Sequence, residues 1–165
     1  MNYNLAIEIA KDIISVPNCE VLLSGEKTAY IMPKTEEYLI RMTKVVQYKT
    51  TIIKSLDEIQ EDILKVSVCD LSGIANSEKY FADKWSDKAA AAVSGDQYMD
   101  FMDLCVSKGD ALKKVQKIYG IDRSECMAFG DNYNDCEMLK QAEFSYAMAS
   151  AADDIKKNAL YVTDS

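Results

Sequence analysis

Apolar positions in this chain recur at helical spacing, then alternate, then return to helical spacing. Leu5, Ala6, Ile9, Ala10, Ile13 and Ile14 predict an amphipathic helix over residues 3–15, and Pro17 with Asn18 ends it. Residues 20–23 and 28–32 flank Ser24-Gly25-Glu26-Lys27, a hairpin with glycine in the turn. A second helix over 35–46 is expected to turn Leu39, Met42 and Val46 inward. A short strand at 51–55 and a short helix at 56–63 follow. Residues 65–70 alternate as a strand, with Val66 and Val68 on one face. Tyr80, Phe81, Lys84 and Trp85 share a helical stripe, read as core aromatics with Lys84 at the edge. Residues 89–93 and 98–102 enclose the turn Ser94-Gly95-Asp96 as a second hairpin.

From Ser107 the period is cleaner. Ala111, Leu112, Val115, Ile118 and Tyr119 define a helix face, and Gly120 is placed to close it. A strand at 126–129 runs into the acidic turn Gly130-Asp131-Asn132-Tyr133-Asn134-Asp135, and a helix continues from about Asn134 to Ala142. Residues 144–147 read as a buried strand. Ser150 and Asp153 fit a capping box for a helix containing Ile155, and residues 160–163 form a closing strand. Strands alternating with helices predict parallel βαβ units.

Composition narrows the function classes. Twenty-seven acidic against 19 basic residues give a net charge of −8, the wrong sign for a nucleic-acid partner. The absence of histidine removes imidazole acid–base chemistry and histidine-ligated metals. Cys19, Cys69, Cys105, Cys126 and Cys136 show no Cys-x-x-Cys spacing, so reduced, buried thiols in a cytoplasmic protein are expected. With no long apolar run and no signal segment, neither a membrane span nor secretion is expected.

The acidic turn carries the candidate chemistry. A strand that stops there and restarts as a helix sets carboxylates at the carboxyl end of a sheet, where open α/β sheets bind ligands. Asp131, Asn134 and Asp135 offer hard oxygen donors and no soft ligand, suited to magnesium. The plainer reading is a turn followed by a favourable charge in a helix's first turn. An EF-hand is excluded, because Cys136 and Ala142 stand where glycine and glutamate are required.

Gly130-Asp131-Asn132-Tyr133-Asn134-Asp135 resembles the fourth motif, GDxxND, of the haloacid dehalogenase-like (HAD) phosphatases, in the Cof-like, type IIB-capped branch. Val106-Ser107-Lys108-Gly109-Asp110-Ala111-Leu112 resembles that branch's third motif. Met138-Leu139, Ala147-Met148 and Tyr161-Val162-Thr163 are similar to its later landmarks. Where the family has Gly-Asn after Ala-Met, this chain has Ala149-Ser150, and Glu143 replaces a small residue. The two hairpin segments Val21-Leu22-Leu23-Ser24-Gly25-Glu26 and Ala91-Ala92-Val93-Ser94-Gly95-Asp96 also resemble each other, as the αββ halves of such a cap do.

The resemblance implies an α/β protein in two parts. Residues 1–104 would be an α+β cap, with an antiparallel sheet covered by helices on one side. Residues 105–165 would be the C-terminal part of a Rossmann-like core with parallel strands. It implies that Lys108 holds phosphate, that Asp131, Asn134 and Asp135 bind or orient Mg2+, and that substrates are small phosphorylated metabolites. It also implies an upstream Asp-x-Asp-Gly-Thr, whose first aspartate is the nucleophile and whose second is the acid/base. The chain contains no Asp-x-Asp. Val66-Ser67-Val68-Cys69-Asp70-Leu71-Ser72-Gly73 is the nearest imitation, but Ser72 replaces the acid/base and Asp70 lies too close to Lys108. Two readings follow: a piece of a phosphatase, inactive alone, and a non-catalytic module. In both, an open sheet edge is expected to be covered by self-association, a rearranged segment or a complementing N-terminal half.

Overall fold

The computed structural model describes residues 1–47 and 49–164; Tyr48 and Ser165, which fall inside the predicted domain ranges, lie outside the described residues. The chain divides into two compact units, Met1–Leu104 and Cys105–Ser165.

The first unit is a six-stranded sheet. Its strands are β1 (Cys19–Gly25), β2 (Ala29–Ile31), β3 (Thr50–Ile52), β4 (Ile63–Asp70), β5 (Ala90–Gly95) and β6 (Tyr98–Met102). Their order is β3-β2-β1-β4-β6-β5, antiparallel except for the parallel pair β2–β3. Helices α1 (Tyr3–Ser15) and α3 (Glu78–Trp85) cover one face; α2 (Glu36–Ile40) lies between β2 and β3 in sequence. Alternation sorts the strands' side chains. Val21, Leu23, Val66, Val68, Met99 and Phe101 meet Ile9 and Ile13 of α1 and Phe81 of α3. Each such buried side chain contributes about 1.5–3 kcal/mol. Asp12 ties α1 to α3, accepting from Trp85 Nε1 at 2.8 Å and from Tyr80 Oη at 2.9 Å.

Three expectations change here. Helices were expected on one side only, yet Leu22 and Cys69 point to the opposite face, and α2 with the turn that follows it buries Tyr38 and Met42 there with Ile31. The predicted helix over 35–46 runs as α-helix only to Ile40 and continues as a π-turn, Arg41–Val45. Tyr38, rather than Leu39, is the buried residue of the α-helical part, and Val46, beyond the π-turn, is exposed. The predicted helix at 56–63 is a single 3-10 turn, Leu56–Glu58, capped by Ser55, because Ile63 already belongs to β4.

The second unit is a three-stranded parallel sheet, β7 (Met127–Gly130), β8 (Phe144–Ala147) and β9 (Tyr161–Val162), in that order. Helices α4 (Lys108–Tyr119), α5 (Cys136–Gln141) and α6 (Asp153–Lys156) complete it. Its buried cluster is small, made of Ala128, Leu139 and Ala142. Most of the stripe expected to pack on α4 does not: Ile118 is 75% and Tyr119 72% exposed, and Ala111 and Val115 are exposed too. The helix instead turns Gly109, Leu112 and Gln116 inward, and Gln116 Nε2 reaches the Gln141 carbonyl at 3.1 Å. β8 is buried on one face only, through Ser145 and Ala147. On its other face Tyr146 stacks between Phe129 and Tyr161, with 5.0 Å between ring centroids on each side. Ser150 caps nothing; the residue before α6 is Ala152, without a side-chain cap. Cys19 and Cys69 are unbridged and buried as expected, Cys126 and Cys136 are unbridged and half-buried, and Cys105 is exposed.

Candidate active site

The acidic turn folds around one carboxylate. β7 ends at Gly130, and a 3-10 turn, Tyr133–Asp135, leads into α5. Asp135 points back rather than outward. Its Oδ2 accepts from the backbone amides of Asp131 and Asn132 at 3.0 and 3.1 Å, and its Oδ1 accepts from Lys108 Nζ. Asp135 is only 3% exposed. Burial alone would raise its carboxyl, but the hydrogen bonds from Lys108 and the two amides outweigh that and hold it below the ordinary carboxylate value. Asn132 in turn accepts from the Tyr133 amide at 2.7 Å, which fixes the start of the turn.

Two glycines let these pieces approach. A β-carbon on Gly130 would lie 2.5 Å from Asp135 Cβ, so a side chain there would displace the carboxylate. A β-carbon on Gly109 would lie 2.7 Å from Glu137 Cβ and 2.8 Å from its carbonyl oxygen. The first turn of α4 therefore rests directly on α5, and Lys108 is carried over Asp135. Ser107 caps the helix by accepting from the Asp110 amide at 3.0 Å. The Lys108 side chain remains half exposed.

Of the candidates named from sequence, the fold brings Lys108 and Asp135 together. Asp131 and Asn134 lie in the same turn and are exposed. Among the described residues no three carboxylates or thiols converge as a metal centre. Asp135 spends both oxygens on Lys108 and the turn's own amides, so Asp131 is the carboxylate left facing outward. The role of Gly109 was hidden in the sequence. The available signal was a glycine inside a helix's first turn, where its low helix propensity needs a reason. Asp70, the imitation nucleophile, ends β4 and accepts from the Ser72 amide and hydroxyl and from Ser77 Oγ at 3.0, 2.6 and 2.9 Å.

Among the described residues no helix is long and apolar enough to cross a membrane. The family description "haloacid dehalogenase-like hydrolase" matches residues 1–165. Over 155 residues the chain is 27% identical to the 5-amino-6-(5-phospho-D-ribitylamino)uracil phosphatase YbjI of Escherichia coli, covering 93% of this chain and 57% of that protein. A crystal structure from Eubacterium rectale superposes with a TM-score of 0.84 at 21% identity, over 98% of this chain and 62% of the other. A subclass IIB sugar phosphatase of the HAD superfamily superposes with a TM-score of 0.73 at 18% identity, over 96% and 60%. The chain thus spans about three-fifths of the length of these proteins. It belongs to the haloacid dehalogenase-like hydrolase family and has the mixed α/β fold of the Cof-like, type IIB-capped branch.

Proposed function

We propose that these residues are the cap and the C-terminal part of the core of a magnesium-dependent phosphatase acting on small phosphorylated metabolites in the cytoplasm. The observation that carries this reading is the Lys108–Asp135 pair, locked at the end of β7 beside the outward-facing Asp131. Lys108 keeps two donor hydrogens beyond the one given to Asp135, and its half-exposed ammonium can hold a phosphoryl oxygen. Asp135 orients that ammonium and stiffens the turn. Asp131, with Asn134 beside it, would hold Mg2+, an ion that takes one or two carboxylates together with water and phosphate oxygens. The turn supplies only part of such a donor set. When bound, the ion would offset charge on the phosphoryl group. The attacking carboxylate and the acid/base are assigned to a segment outside these 165 residues, since the sequence holds no Asp-x-Asp. The Escherichia coli relative's name suggests a phosphorylated sugar-alcohol compound as substrate.

The test uses p-nitrophenyl phosphate with Mg2+. The chain alone is expected to show background turnover only. Mixed with the separately expressed N-terminal segment of that relative, it is expected to turn over, and Asp131→Ala or Lys108→Ala to remove the gain by about 100-fold or more. Turnover by the chain alone would overturn the assignment of the nucleophile.

A second reading, a non-catalytic module that self-associates or binds a partner chain, draws on the exposed surfaces of the second unit. Among the described residues the outer edge of β7 pairs with no strand, and Ile118, Tyr119, Met127 and Phe129 are exposed. A light-scattering mass of one chain, unchanged with concentration, would count against self-association.

A further inference from the structure

The second unit has a cavity of about 400 Å³ at the end of its sheet opposite the acidic turn. Arg123 lies just ahead of β7, Glu143 just ahead of β8 and Leu160 just ahead of β9, so the cavity opens where the three strands begin. Open α/β sheets bind their ligands at the other end, where strands stop. A site here is separate from the one built on Lys108 and Asp135 and shares no residue with it.

The buried polar group of this cavity is Ser145, 4% exposed. Its Oγ accepts from the Leu160 amide at 3.0 Å, and among the described residues no atom takes its own proton. A hydroxyl can donate as well as accept, and buried polar groups are ordinarily satisfied. Ser145 therefore leaves a donor inside the cavity. Leu139 and Leu160 add apolar lining beside it.

The charge around this donor is positive. Arg123, Lys140 and Lys157 line the cavity against one carboxylate, Glu143, in a chain where acidic residues outnumber basic ones 27 to 19. The cations are loosely engaged. Arg123 meets Glu143 only at 3.8 Å, Lys140 gives one hydrogen to Glu137 at 2.9 Å, and Lys157 has no ion pair among the described residues. Lysines in a helix's last turn complement its dipole. That accounts for Lys140 and Lys157 at the ends of α5 and α6, but for neither Arg123 nor the free proton of Ser145.

Convergent polar groups in a half-apolar cavity are the usual composition of a small-molecule site. A phosphoryl group offers three oxygens to Arg123, Lys140 and Lys157, where a carboxylate offers two. We propose that this cavity binds a small phosphate monoester. Its phosphoryl group is held by the three cations, and its organic part lies against Leu139 and Leu160 with a hydrogen-bond acceptor on Ser145. The site stands independently of catalysis at the acidic turn, and its test involves no turnover.

The 165-residue chain is titrated, without added metal, with p-nitrophenyl phosphate while its backbone amide resonances are followed by NMR. This probe carries a phosphoryl group, an apolar ring and a nitro acceptor. Saturable shifts are expected at Arg123, Ser145, Lys157 and Leu160. Inorganic phosphate, which lacks the ring, and p-nitrobenzyl alcohol, which lacks the charge, are each expected to bind at least about tenfold more weakly. Lys157→Ala, at an exposed position, is expected to keep the spectrum of the folded chain and weaken the ester about tenfold. Shifts confined to Lys108, Asp131 and Asn132 would overturn this site and leave the phosphatase reading standing. The absence of a saturable shift, equal binding of inorganic phosphate or the alcohol, or unchanged affinity in folded Lys157→Ala would each overturn it too. Should Lys157→Ala lose the folded spectrum, Lys157→Gln gives the same reading, since it keeps a polar stem and drops the charge.

Discussion

The two units secure their structures by different means. In the first, α1 and α3 close over a sheet whose alternate residues form one continuous core from Ala6 to Phe101. In the second, the contiguous buried apolar cluster is Ala128, Leu139 and Ala142, and the geometry rests on hydrogen bonds within one turn and on a helix contact that only Gly109 permits. A large core tolerates local irregularity, which is why the π-turn can sit on the far face of its sheet. A small core cannot, so the acidic turn fixes its own carboxylate.

The largest expected effect tests this contrast directly. Phe101→Ala, at a fully buried position, is expected to cost about 3–5 kcal/mol in guanidinium unfolding. Ile118→Ser, in the stripe that sequence periodicity assigns to a core, is expected to change stability by less than about 0.5 kcal/mol. Comparable losses from both would mean that the exposed face of α4 is covered in solution, and the contrast between the units would fail.

Those same two residues mark what could be read in advance. Strand and helix positions in the first unit follow the apolar period closely, because strands with one face packed under α1 and α3 stamp an alternation on the sequence. The α2 region escaped, since a π-turn changes the phase without changing composition. On α4 the period was real but its packed side was only partly legible. Of the expected face Ala111, Leu112, Val115, Ile118 and Tyr119, only Leu112 turns inward, together with Gly109 and Gln116. Motif and spacing single out Lys108, Asp131, Asn134 and Asp135 as candidates, and the fold brings Lys108 and Asp135 together. That Asp135 bonds inward while Asp131 faces outward depends on backbone amides, which no side-chain pattern records.

Next in size is Lys108→Ala. It leaves Asp135 buried with two amides and no cation, at an expected cost of about 1–3 kcal/mol in the second unit. The Asp135 carboxyl should rise toward its ordinary value, and the amides of Asp131 and Asn132 should exchange faster with deuterium. Unchanged exchange would show that the turn holds without the lysine. Gly109→Ala is expected to be milder. The added carbon would gain about 1 kcal/mol of helix propensity but meets Glu137 at 2.7 Å, and overpacking of this kind costs about 1–3 kcal/mol. The net loss should be about 1 kcal/mol, with Asp135 shifted the same way as in Lys108→Ala. A stabilised variant with Asp135 unmoved would show that α4 and α5 can separate freely.

The finest comparison is by acid, because each unit holds one carboxylate below its ordinary value. Burial raises Asp12, but hydrogen bonds from Lys84, Trp85 and Tyr80 outweigh it; Asp135 is lowered by Lys108 and two amides against the same opposing burial. A folded value below the unfolded one means that each group's contribution is complete above the unfolded value of 3.8 and is lost as pH falls through the depressed folded value. Trp85 is the sole tryptophan, and its indole N–H donates to Asp12, so a single indole resonance reports that carboxyl. The amides of Asp131 and Asn132 report Asp135. As pH is lowered, the indole resonance should shift while the amides of the first unit stay dispersed, because the core behind Asp12 does not depend on it. Protonating Asp135 removes a main support of the second unit, so its amides should lose dispersion together with the reporter shift. A second unit that titrates at Asp135 and keeps a dispersed spectrum would show that its three-residue core suffices without the turn.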